Sequence, residues 1–122
     1  MGVLSQQWKR FCDRVVWSLD GWRNVWQTEP SLKQWIFANC ISTPLALYLP
    51  LSAAETAIIT MGGIMVLAAE CVNTAIERVV DDIGMERHDL AKRAKDAGSA
   101  AVAVTAISVG AAWVTILCMN FL

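Results

Sequence analysis

The chain has 122 residues, 56% of them hydrophobic, with a formal net charge of −1 and a mean hydropathy of +0.44. That composition is too apolar for an ordinary soluble domain and too short for several domains. The charge balance excludes a basic nucleic-acid surface, so no nucleic-acid partner is expected; the single histidine, His88, excludes a histidine-clustered zinc site.

In chain order, the first element is a helix. Leu4, Trp8, Phe11, Val15, Leu19, Trp22 and Trp26 recur at helical spacing, with Lys9, Arg10, Asp13, Arg14, Asp20 and Arg23 over much of the other side. Apolar anchors opposite charges suit a helix lying in a membrane interface, and residues 1–28 are assigned to it. Five of the six tryptophans precede Phe37, where an interfacial aromatic belt would use them. No short apolar core with a cleavage site opens the chain, so a signal peptide is not expected. Pro30 disfavours a helical Glu29 and predicts a break near residues 28–30. Glu29 then stands at a corner close to the membrane surface. An acid at a helix start is often only matched to the dipole.

Three apolar stretches follow, at residues 32–51, 54–83 and 97–122. A spanning helix needs about 20 apolar residues, so each is long enough to cross a bilayer. Asn39 and Pro44 interrupt the first and predict a kink near its middle. Leu49-Pro50-Leu51-Ser52 makes a turn, with Glu55 just beyond. The second stretch passes Gly62-Gly63, where another helix can approach closely. Gly84 ends it. A charged segment from Met85 to Lys95 leads to the third, which Lys95-Asp96 is expected to open. There Gly98, Ala101, Thr105, Ser108 and Ala112 form a small-residue stripe, a usual means of tight helix contact in lipid.

All ten Lys and Arg lie before Ile36 or between Arg78 and Lys95. By the positive-inside rule the N-terminus and the loop before the third span are cytoplasmic. The four cysteines show no C-x-x-C spacing and read as small buried hydrophobes.

The most informative stretch is AAECVNTAIERVVDD, Ala68 to Asp82. Glu70, Asn73, Thr74, Glu77 and Asp81 fall three or four residues apart and share one helix face. A carboxylate at membrane depth costs at least ~2.5 kcal/mol by insertion scales, so it is turned inward and paired. The plain alternative is polar glue between helices. Carboxylates with the lysine at Lys95 are what a magnesium–polyphosphate site requires, because hard oxygens hold Mg²⁺ and substrate phosphates complete its shell. Neither G-x-x-x-x-G-K nor G-x-G-x-x-G is present, so the residues alone stop at an acidic site near the cytoplasmic interface. A protomer of this size encloses little, and a working site is expected to need neighbouring copies.

The run E-C-V-N-T-A-I-E-R-V-V-D, a short charged loop with His88, and A-K-R-A-K-D-A-G-S-A-A-V are similar to the prokaryotic diacylglycerol kinase family over nearly the whole chain. The resemblance implies an all-α membrane homotrimer, an amphipathic surface helix plus three transmembrane helices, with active sites shared between subunits. It implies MgATP-dependent phosphorylation of diacylglycerol to phosphatidic acid at the bacterial inner membrane. Carried onto this chain, Glu70 is the general base on the lipid hydroxyl, and Glu29 and Glu77 hold metal and nucleotide. Arg10, Trp17, Glu86, His88, Lys95 and Asp96 match nucleotide positions. Arg23, Trp26, Ser99 and Trp113 match lipid-binding positions, with Asn73 and Asp81 in support. Trp17 replaces a tyrosine, which removes a hydroxyl contact, and Trp35 stands where some relatives are acidic. An undecaprenol kinase of the same family is the nearer alternative. From other classes come a small multidrug exporter built on an intramembrane glutamate and a non-catalytic assembly protein.

Overall fold

The computed structural model describes residues 2–84 and 88–122, and among them every regular element is helical. Four helices follow one another: α1 (Val3–Thr28), α2 (Pro30–Tyr48), α3 (Ala53–Ile83) and α4 (Asp89–Phe121).

Local chemistry sets the boundaries. Glu29 is extended, at φ −108° and ψ 108°, as a residue before proline should be, and Pro30 occupies the first turn of α2. Helix α2 continues through Pro44. A capping box opens α3: Ser52 Oγ accepts from the Glu55 amide at 3.3 Å, and Glu55 Oε2 accepts from the Ser52 amide at 2.7 Å. The start of α4 differs from expectation. The helix begins at Asp89, so Lys95-Asp96 lies in its second turn rather than opening it. His88 Nδ1 accepts from the Ala91 amide at 3.4 Å, and pairs at i,i+4 (Asp89–Arg93, 3.7 Å; Lys92–Asp96, 2.6 Å) stitch the charged stretch into helix.

The outside of this bundle is apolar. Phe37, Val104 and Ile107 are each about two-thirds exposed, whereas Glu70, Asn73 and Thr74 are buried. That inversion suits a surrounding that is itself apolar. Helices α3 and α4 are each long and apolar enough to cross a membrane. The stretch expected as the first span forms the 19-residue α2, about 28 Å at 1.5 Å per residue, but its polar residues keep it from meeting the same test. The expectation of three spans is therefore met for two.

Helix α3 is the axis of the fold. Helices α2 and α4 both pack along it and α1 touches it more briefly, while α2 and α4 do not pack their backbones together. Ala46, Ile59 and Ile116 form a small core at one end, covered by Leu51 and Trp113. There Trp113 Nε1 donates to Ser42 Oγ at 2.8 Å and bridges α4 to α2. Away from that end a cleft remains between the two.

Glycines on α3 permit the close packing, as Gly62-Gly63 suggested. A Cβ at Gly62 would press on Val109 of α4, and one at Gly63 would collide with the Asn39 carboxamide of α2. Asn39 Nδ2 donates to the Trp35 and Gly63 carbonyls, at 2.9 and 3.2 Å. A second pair of the same kind joins the next interface, where Asn73 of α3 lies against Gly98 of α4. The small-residue stripe on α4 meets expectation in part. Gly98 is buried, and Ala101 and Thr105 line a groove shared with α3, whereas Ser108 is exposed. The buried line continues through Val102 and Ile116, with Val109, seven residues from each, against Gly62. The heptad step keeps that line on its partner, and glycine on both helices makes the room, Gly62 on α3 and Gly98 on α4.

Candidate functional site

The cleft between α2 and α4 widens into a cavity of about 380 Å³, lined by Glu29, Ser31, Trp35, Glu70, Asn73, Glu77, Ser99, Val102 and Ala103. Each element contributes by its own logic. Glu29 arrives at the α1–α2 corner fixed by Pro30. Ser31 and Trp35 lie a turn apart on α2. Glu70, Asn73 and Glu77 share one face of α3, as their spacing demands. Ser99 follows Gly98, the closest approach of α4.

Glu70 is the most enclosed of these carboxylates, at 5% exposure. Its Oε1 accepts a hydrogen bond from Ser31 Oγ, which gives the charge a partner. Ser31 is a site residue that the sequence reading missed. A serine just after a helix-starting proline looks like an ordinary first-turn residue, and nothing in the sequence links it to a residue 39 positions away. Asn73 Nδ2 donates to Glu77 Oε1 at 3.1 Å and holds that carboxylate on the cavity wall. Asn73 Oδ1 is buried, has no hydrogen-bond partner and points at Gly98. Glu29 Oε1 lies 3.2 Å from Thr28 Oγ1 and 3.6 Å from Arg78 Nη2.

Among the predicted site residues, the structure thus gathers Glu29, Glu70, Asn73, Glu77 and Ser99 around one space. Trp35 joins them as an aromatic wall. The expected polar face of α3 divides: Thr74 turns the other way, toward α1, where it lines a second cavity of about 350 Å³ with Ser18, Trp22, Val25 and Arg78. Asp81 is on the outside, its Oδ1 accepting from Lys95 Nζ at 2.6 Å. That bond puts Lys95 level with Asp81, about one turn from Glu77. Asp96 accepts from Lys92, and His88 caps α4.

Other predicted residues stay apart from the cavity. Arg10, Trp17, Arg23 and Trp26 are exposed on α1, with Lys33 Nζ 5.6 Å from the Trp26 ring centre. Trp113 is at the opposite end, bound to Ser42, so the structure does not bring it to the carboxylates. Glu86 lies outside the described residues.

No group of three or more His, Cys, Asp or Glu among the described residues is close enough to hold a metal ion unaided. Glu29 and Glu77, which line the same cavity from different elements, are nonetheless hard-oxygen donors of the kind magnesium takes while keeping ligand positions for water and substrate phosphate. Chemically, the arrangement offers a buried base with a fixed hydrogen-bond partner, two shallower carboxylates, and cations at the rim.

Comparison with known proteins gives a consistent pattern. The chain matches the family described as prokaryotic diacylglycerol kinase over residues 16–117. It is similar to a diacylglycerol kinase of Haemophilus influenzae, 39% identical over 101 residues, covering 83% of this chain and 86% of the relative. A diacylglycerol kinase of Pseudomonas aeruginosa is 39% identical over 111 residues, 89% of each chain. One of Escherichia coli K12 is 35% identical over 105 residues, 86% of each.

Proposed function

The chain belongs to the prokaryotic diacylglycerol kinase family, and from that premise we propose that it phosphorylates diacylglycerol to phosphatidic acid with MgATP at the cytoplasmic face of the bacterial inner membrane. The observation that carries the reading is the single cavity into which Glu29, Glu70 and Glu77 all face, set in a bundle with an apolar exterior. The whole chain is one membrane kinase domain with α2, α3 and α4 as its spans, the N-terminus cytoplasmic, and α1 on the surface. The family resemblance implies a homotrimer, and a neighbouring copy would cover the cleft that one copy leaves open along its side.

The parts of Glu29, Ser31, Glu70, Asn73 and Glu77 follow from their places in the cavity. A lipid hydroxyl is a poor nucleophile, so a base must take its proton as the bond to phosphorus forms. Glu70 is that base. Ser31 orients its carboxylate, and the apolar surroundings let an acyl chain lie alongside. Glu77 stands seven residues nearer the cytoplasmic end, ~10 Å at 1.5 Å per residue, and Glu29 caps the same side. These two would hold Mg²⁺, with Asn73 fixing the Glu77 carboxylate. When bound, the ion offsets phosphate charge and aligns the γ-phosphoryl group. Lys95 supplies further positive charge at the rim. By resemblance to the family, not by their distance from the cavity, Arg10, Trp17, Glu86, His88 and Asp96 are assigned to the nucleotide side. Ser99 lines the cavity on the lipid side, to which Arg23, Trp26 and Trp113 are assigned by the family resemblance alone, and Asp81 supports Lys95.

The deciding experiment gives the purified protein MgATP with either diacylglycerol or undecaprenol and measures ADP release and the lipid product. Phosphatidic acid formed in preference to the polyprenyl phosphate is the expected result. Phosphorylation of undecaprenol alone would overturn the substrate assignment, and no ADP release with either lipid would overturn the phosphoryl-transfer reading.

A further inference from the structure

Arg78 follows Glu77 directly, yet it points about 100° further round α3 and away from the cleft. Its guanidinium reaches the last turn of α1. Nη1 donates to Asn24 Oδ1 at 2.6 Å, Nη2 donates to Thr28 Oγ1 at 2.6 Å, and Nη2 also lies 3.6 Å from Glu29 Oε1. Thr28 Oγ1 is itself 3.2 Å from that same glutamate oxygen. One side chain therefore ties three consecutive features of the α1–α2 corner to the helix that carries Glu70 and Glu77.

We propose that Arg78 is a positioning residue: it clamps the Asn24–Glu29 corner onto α3 and so sets where Glu29 stands in the cavity. Thr28 and Arg78 both engage Oε1 of Glu29, the residue that lines the cavity at this corner. The corner has little else to fix it. The N-terminal turns of α1 are exposed, and α1 packs on α2 and α3 only lightly. Val25 is its one buried residue, and Arg78 supplies the directional contacts next to it. The fork matters more than the charge. A half-exposed ion pair at 3.6 Å is weak by itself. A planar guanidinium that meets three acceptors fixes their relative placement, which an ammonium cannot do.

This inference rests on the reading of Glu29 as a metal-holding carboxylate, and it predicts a sign. As a competing positive charge, Arg78 would weaken magnesium binding, and its removal would lower the magnesium requirement. As a clamp, its removal raises that requirement. The test uses the full chain in lipid nanodiscs, comparing Arg78→Ala, Arg78→Lys and the double variant Asn24→Ala/Thr28→Val, which keeps both Arg78 and Glu29. Two quantities are measured: amide hydrogen exchange over residues 24–29, and the magnesium dependence of turnover with diacylglycerol. Losing two or three hydrogen bonds should speed exchange over residues 24–29 by about tenfold. In Arg78→Ala the half-saturating Mg²⁺ concentration should rise about fivefold, with kcat at saturating Mg²⁺ within about threefold. The double variant should follow the same pattern, and lysine should recover it only in part. Unchanged exchange over residues 24–29 would overturn the clamp. So would a lowered magnesium requirement, or full recovery by lysine. If Glu29→Gln leaves magnesium dependence untouched, the metal role of Glu29 fails, while the exchange data still decide whether Arg78 holds the corner.

Discussion

Replacing Glu70 by glutamine removes a proton acceptor while keeping its shape. Glu70 is 5% exposed, and Oε1 accepts from Ser31 Oγ. A glutamine Oε1 can accept that same bond, so neither the packing nor the polar partner is lost, and the helix pair should remain intact. What disappears is the ability to take a proton from the lipid hydroxyl. General-base catalysis contributes about 10²–10⁴-fold, so kcat should fall by at least about 10²-fold, or ~2.7 kcal/mol at 1.36 kcal/mol per decade. The KM for MgATP should stay within about twofold, because Glu29 and Glu77 are untouched. Ser31→Ala is the graded companion. It leaves the carboxylate but deletes its donor, a charge-assisted bond worth ~1.5–3 kcal/mol, and should cost kcat roughly tenfold through misorientation. Coupled detection of ADP at saturating diacylglycerol reads both. Near-normal kcat in Glu70→Gln would refute the assignment, as would a loss that appears mainly in the MgATP KM.

Other consequences can be checked separately. Glu77→Gln should raise the magnesium requirement by about tenfold or more with assembly unchanged; a magnesium titration with size-exclusion chromatography tests it, and dissociation with unaltered metal dependence would point to a structural role. Gly98→Ala drives a methyl group into the Asn73 carboxamide and should destabilise the fold by about 1–3 kcal/mol. Denaturant titration in mixed micelles measures that, and the cost should shrink in an Asn73→Ala background, since the collision needs both residues. A reporter fused after Leu122 should give a non-cytoplasmic signal; a cytoplasmic one would remove the third span.

The site was legible in the sequence where polarity and periodicity coincided. Carboxylates at positions 70 and 77 stand out in an apolar helix, and a period of 3.6 already puts them and Asn73 on one face. The corner at Glu29 was legible because Pro30 constrains the residue before it. Contacts between distant positions were not. Ser31 and Arg78 are ordinary until α2 and α1 fold onto α3, and a helix period carries no information about partners on other helices. The charged stretch before Lys95 read as a loop because charge density resembles a linker. In the structure its i,i+4 pairs and the His88 cap make it helix instead. On α4, the small residues from Gly98 to Thr105 do border α3. Ser108 is exposed, however, and larger residues, Val109 and Ile116, carry the contact beyond it, because closeness is decided by both surfaces.

The two asparagine–glycine contacts bear on how such a chain can diverge. At each helix interface the carboxamide fills the space that a missing side chain leaves, Asn39 against Gly63 and Asn73 against Gly98. Changing the glycine alone produces a collision, and changing the asparagine alone opens a void and strips polar groups of partners. Each pair should therefore change together, since either single replacement passes through a costly intermediate. Since Asn73 also orients Glu77, drift at Gly98 is constrained through an asparagine that serves the cavity, although Gly98 has no side chain of its own to offer.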